Sequence, residues 1–104
     1  MKLPAQTPEP PYYAVIFTSI RNDGDNGYAE TAEAMLELAS TQPGFLGFES
    51  ARQEIGISVS YWSSLEAIAT WKENAAHRQA QDNAHEWYRI FHVRVCRVER
   101  AYAL

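Results

Sequence analysis

The sequence predicts an α+β domain in which two helices cover one face of a four-stranded antiparallel sheet. Three observations carry this expectation: a β-branched and aromatic run begins the folded part, two helical stripes flank a pair of strands joined by a short turn, and a long apolar strand ends the pattern. With 104 residues, 46% of them apolar and 21% charged, the chain is long enough for one domain with a core that needs no staples.

The elements are justified in order. Met1 to Pro11 holds four of the five prolines. Proline fixes φ and lacks an N–H, so residues 1–11 are expected as an extended leader without regular secondary structure, lying on the surface or on a partner subunit. Residues 12–104 form the folded domain. The run from Tyr12 to Ile20 reads as a strand ending at the turn Arg21-Asn22-Asp23-Gly24. Its faces, Tyr13, Val15, Phe17 and Ser19 against Tyr12, Ala14, Ile16, Thr18 and Ile20, are both largely apolar, so both call for cover.

Tyr28, Ala32, Met35, Leu36 and Ala39 then make a helical stripe, with Asp25 or Asn26 as N-cap and Gln42-Pro43-Gly44 as its stop. Phe45 to Arg52 and Ile55 to Trp62 read as a hairpin around Gln53-Glu54. Ser63 and Glu66 have capping-box spacing before a second helix through Leu65, Ile68, Ala69 and Trp71. That helix is expected to break near Asn74 and resume from Ala76 to Trp87, and Ile90 to Glu99 is the last strand. The order β-α-β-β-α-β is the ferredoxin-like arrangement. Two helices leave the other sheet face bare, and packing that face against a second copy would cover it, so a homodimer is expected.

Charge and cysteine usage exclude several classes. The net charge is −4 and no basic cluster exceeds two adjacent residues, which argues against nucleic acid as a partner. Cys96, the only cysteine, rules out an internal disulfide and multi-cysteine metal sites. No apolar run approaches the roughly 18 residues of a membrane span, and no signal peptide is visible, so a cytoplasmic protein without membrane contact is expected. His77 and His85 are eight residues apart, about 12 Å along a helix, too far to share an ion. No metal is expected.

Tyr61-Trp62-Ser63-Ser64-Leu65-Glu66-Ala67, Trp71 and His77 with five residues between them, Pro43 to Gly47, and the strand Val93 to Val98 resemble the antibiotic biosynthesis monooxygenase superfamily. The resemblance covers the chain from Tyr12 onward. It implies a dimeric α+β barrel, and among the activities it implies is oxidation of a small aromatic, quinol or polyketide-like substrate by O2 without a cofactor. A non-catalytic dimeric protein that binds a small ligand is the alternative. The haem-degrading branch fits less well. Its helix Trp would fall on Trp71, but its haem-ligating His would fall on Gln81, and the first strand holds none of the Asn that this branch uses in catalysis.

His77 is the candidate base, since a neutral imidazole with an ordinary pKa near 6.5 can take a proton from a phenol or enol. A pocket is expected between the inner sheet face and the second helical region. Trp71 and one or more of Phe17, Phe48, Tyr61 and Trp62 would wall it, with Ser19 and Gln81 as hydrogen-bond partners for a small aromatic molecule. For each Trp, a place in the core is the competing role, and for His77 a hydrogen bond at the helix surface.

Overall fold

The computed structural model describes residues 3 to 104. It runs β1 (Tyr12–Arg21), α1 (Tyr28–Ser40), β2 (Phe45–Arg52), β3 (Gly56–Trp62), α2 (Leu65–Glu73), α3 (Ala75–Asp82), α4 (Ala84–Trp87) and β4 (Tyr88–Val98). The strands form one antiparallel sheet in the order β2-β3-β1-β4. This is the ferredoxin-like α+β architecture that the element order predicts.

Register decides which side chains meet the helices. Val15 lies opposite Ser60 and Val95, Phe17 opposite Ser58 and Val93, and Ser19 opposite Gly56 and Phe91. Because strand side chains alternate, these residues share the face beneath the helices, while Tyr12, Ala14 and Ile16 point to the outer face. Trp62 anchors the inner face. It is fully buried, and its indole N–H donates to Ser60 Oγ at 2.9 Å, so the burial leaves no polar atom unsatisfied.

The leader supplies part of the missing cover. Residues 3–11 carry no helix or strand; Met1 and Lys2, included in the same expectation, lie outside the described residues. The Ala5 N–H donates to a Glu49 carboxylate oxygen at 3.0 Å, and the Thr7 and Tyr12 hydroxyls are 2.7 Å apart. Glu49 and Tyr12 belong to the outer face, so the leader crosses the back of its own sheet. Tyr12 is only 4% exposed there. Ile57 and Ile90, on the same face, stay about half exposed at 47% and 50%.

Several local details differ from the sequence expectation. Gly27, not Asp25 or Asn26, holds the N-cap position of α1, at φ +82° where a side chain would be strained. Asp25 still serves the helix end, since its carboxylate accepts the N–H groups of Gly27 and Ala29 at 3.0 and 3.1 Å. At α2 the cap is Ser64, whose hydroxyl accepts the Ala67 N–H at 3.0 Å, so the Ser63–Glu66 box is displaced by one residue. Gly44, at φ +87°, lies so near the start of α2 that a Cβ there would stand 2.6 Å from the Ala67 Cβ. The last strand begins at Tyr88, two residues earlier than its apolar run suggests.

The helical break occurs at Asn74, as the sequence suggests. Asn74 leaves helical geometry at φ −59°, ψ 129°, and its side-chain oxygen accepts the N–H groups of Ala76 and His77 at 3.0 and 3.4 Å. This restart turns the first turn of α3 back against the end of α2. It is what brings His77 to Trp71.

Candidate functional site

Between the inner sheet face and the helices lies a cavity of about 550 Å³. That is within the usual range for small-molecule sites. Its floor includes Val15, Phe17, Phe48, Ser58, Ser60 and Trp62, and its roof includes Met35 and Leu36 of α1, Trp71 of α2, and His77 and Gln81 of α3. Tyr28, Tyr88 and Phe91 stand at the end where β4 begins. The space exists because Ser58 and Ser60 occupy inward positions where a sheet core ordinarily places Val or Ile. Two hydroxymethyl groups leave open the volume that two branched side chains would fill.

At the other end, three rings form a ladder. Trp62 and Trp71 have centroids 6.2 Å apart with planes at 25°, and Trp71 and His77 have centroids 4.2 Å apart with planes at 12°. His77 Nδ1 is 3.0 Å from the Trp71 carbonyl oxygen. A carbonyl only accepts, so Nδ1 carries the hydrogen in the neutral ring and Nε2 is left with the lone pair. Burial pushes the His77 pKa below its ordinary value; the carbonyl hydrogen bond opposes this shift, and nearby Lys72 adds to it. The His77 imidazole is therefore uncharged at neutral pH.

Phe17, Phe48, Trp62, Trp71, His77 and Gln81 thus line one cavity. Two other sequence candidates do not. Tyr61 neighbours Trp62 in the strand and must point to the opposite face. There its hydroxyl donates to Glu49 at 2.5 Å, and burial, then the Glu49 carboxylate, push its pKa up to about 12. Ser19 faces the helices but lies one rung beyond the cavity. It is 2% exposed, and its hydroxyl accepts a hydrogen bond from the Arg52 guanidinium.

Tyr28 and Tyr88 are the lining residues that sequence reasoning missed. Their rings meet edge to face at 5.5 Å, and Phe17 packs on Tyr88 at 5.1 Å. Burial, followed by the Tyr28 hydroxyl, raises the Tyr88 pKa above the ordinary phenol value. Trp87 also lines the cavity and is buried; its N–H donates to the Asn26 carbonyl at 2.9 Å and fastens the loop before α1. Among the described residues, no group of three or more His, Cys, Asp or Glu side chains could hold a metal ion, and no helix is long and apolar enough to cross a membrane.

Comparison with known proteins finds the same ferredoxin-like α+β fold. The profile of the antibiotic biosynthesis monooxygenase family matches residues 11–83, and the chain belongs to that family. It is 50% identical over 99 residues to the uncharacterised YqjZ protein of Bacillus subtilis, across 92% of this chain and 87% of that one. Its fold is similar to that of SnoaB, a cofactor-independent oxygenase from Streptomyces nogalater. The TM-score is 0.76 at 7% identity, covering 88% of this chain and 97% of SnoaB. A protein from Shewanella oneidensis has the same TM-score of 0.76 at 10% identity, covering 94% of this chain and all of that one.

Proposed function

We propose that the protein is a cofactor-independent monooxygenase that oxidises a small aromatic, quinol or polyketide-like substrate with O2. The observation that carries this is the placement of His77. It is half-buried, stacked on Trp71, bound through Nδ1 and on the wall of an aromatic cavity. Nε2 takes a proton from the acidic C–H2 or O–H of the substrate, leaving an electron-rich carbanion or phenolate. With an anthrone-type substrate, that anion gives its electrons to O2 and forms a C–O bond as a hydroperoxide. Loss of water then leaves a ring carbonyl, so one oxygen atom enters the product and the other departs as water. Trp71, Phe17 and Phe48 hold the flat ring system, backed by the fully buried Trp62.

The chain is further proposed to work as a homodimer joined through the outer sheet face, where Ile57 and Ile90 are half exposed. A non-catalytic ligand-binding role is the second proposal. It is favoured by the hydrogen bond from His77 to the Trp71 carbonyl, which gives the ring a structural task at the end of α2. Oxygen-uptake screening against anthrones and hydroquinones, with His77→Ala as control, decides between them.

A further inference from the structure

We infer that the Tyr28 and Tyr88 phenols donate a hydrogen bond to a ring carbonyl of the substrate, at the end of the cavity away from His77. The cavity thereby selects ring systems whose acidic C–H lies across the ring from a carbonyl oxygen. The inference rests on the proposed oxygenase use of this cavity and names the substrates that fit it.

The polar groups on the cavity wall are few and spread toward two ends. His77, stacked on Trp71, marks one end, and Tyr28 and Tyr88 mark the other, where β4 begins. On the roof, Gln81 and Ala84 continue the lining from His77 toward Tyr88. On the floor between the ends, Ser60 already accepts the Trp62 N–H.

Packing holds the two phenols in place. Tyr88 meets Phe17 at 5.1 Å and the Tyr28 ring, edge to face, at 5.5 Å. Tyr28 also packs on Trp87 at 6.2 Å, and the Arg21 guanidinium lies 3.6 Å over its ring. The hydrogen bonds recorded at this end run from Arg21 to the Trp87 and Gly24 carbonyls and from the Trp87 N–H to the Asn26 carbonyl, and they use neither hydroxyl. Each phenol carries one hydrogen. The Tyr28 hydroxyl is near enough to raise the Tyr88 pKa, and a hydrogen bond within the pair occupies one of the two hydrogens. The other is left for a ligand. Burial raises the Tyr88 pKa against the pull of the Arg52 and Arg21 charges, so Tyr88 stays protonated and remains a donor at neutral pH.

The proposed chemistry calls for a donor there. When Nε2 removes a proton from the C–H2 of an anthrone, the electron pair left behind moves through the ring onto the opposite carbonyl oxygen. That oxygen becomes an enolate oxyanion. A hydrogen bond to it strengthens as the charge develops, so it favours the anion over the ketone. When the anion gives its electrons to O2, the carbonyl is restored.

The dimensions agree. From His77 to Ala84 is seven residues, about 10 Å along the roof at roughly 1.5 Å per residue. An approach of about 3–3.5 Å for the base and a hydrogen bond of about 2.8 Å leave room for the width of one ring between base and donor.

The test compares anthrone with 9,10-dihydroanthracene, which has the same outline and no carbonyl, by equilibrium dialysis without oxygen. The double variant Tyr28→Phe/Tyr88→Phe is expected to weaken anthrone binding by about 5- to 10-fold and to change dihydroanthracene binding by less than about 2-fold. Tyr102→Phe, at an exposed position, is expected to leave both affinities unchanged. In the unmodified protein, the infrared carbonyl band of bound anthrone is expected at lower wavenumber than in hexane, a readout that needs no variant. Equal losses for the two ligands, an unchanged anthrone affinity in the double variant, no measurable anthrone binding or an unshifted band would each overturn the inference. Neither assay needs turnover, so two failures are separated. A phenol-dependent carbonyl preference without oxygen uptake removes the oxygenase proposal alone, and uptake on anthrone that the double variant leaves intact removes this one alone.

Discussion

The imidazole of His77 lies face to face with the indole of Trp71, with centroids 4.2 Å apart, and its Nδ1 is 3.0 Å from that same residue's carbonyl oxygen. One residue thus fixes both the plane of the ring and its tautomer. If Nε2 is the base, activity is present above the His77 pKa and lost as pH falls through it. Burial lowers that pKa, so the acid limb of the rate profile is expected to have its midpoint below 6.5. A midpoint at or above 6.5 on a substrate that ionises elsewhere would count against His77.

Trp71→Leu is expected to expose His77 and remove the stacking surface together. The His77 pKa should rise toward its ordinary value, because burial is the larger cause of its depression. KM for an aromatic substrate should rise by about 10-fold, the order expected when about 1–2 kcal/mol of stacking is lost. An NMR titration of the imidazole in both proteins checks the first point. An unchanged pKa would contradict it.

Much of the fold was legible because it rests on periodicity. Asn74 shows why: its short amide side chain signals both the end of one helix and the cap of the next, and that pair of roles is local. The cavity was legible only in part. Phe17, Phe48, Trp62 and Trp71 declare themselves as large aromatics, whereas Tyr61 misled because its side of the strand depends on register. Tyr28 and Tyr88 are 60 residues apart in sequence, and no local pattern shows that they meet. Ser58 and Ser60 were the overlooked signal, two small polar residues on the inward side of an otherwise apolar strand.

The leader is expected to contribute stability to its own subunit. A chain beginning at Pro11 loses the hydrogen bond from Ala5 to Glu49 and the one between the Thr7 and Tyr12 hydroxyls. Each kcal/mol lost lowers the Tm of a domain this size by about 4–8 °C, and truncation should cost at least one such step. Differential scanning calorimetry checks this, and an unchanged Tm would show that the strap is passive.

Dimerisation is expected to show in solution as a particle of twice the 11.8 kDa chain mass. Ile90→Lys, on the half-exposed part of the outer face, should shift it toward monomer. Sedimentation equilibrium at micromolar concentration provides the measurement. A stable monomer for the unmodified chain would rule out assembly through that face.

The measurement that bears most directly on the central claim is oxygen consumption by the purified protein with an anthrone substrate, compared between the unmodified chain and His77→Ala. The expected result is one O2 taken up per ring carbonyl formed, with turnover lowered about 10²–10⁴-fold in the variant. Equal uptake by the two proteins, with the variant folded to the same Tm, would contradict the role of His77 as the base.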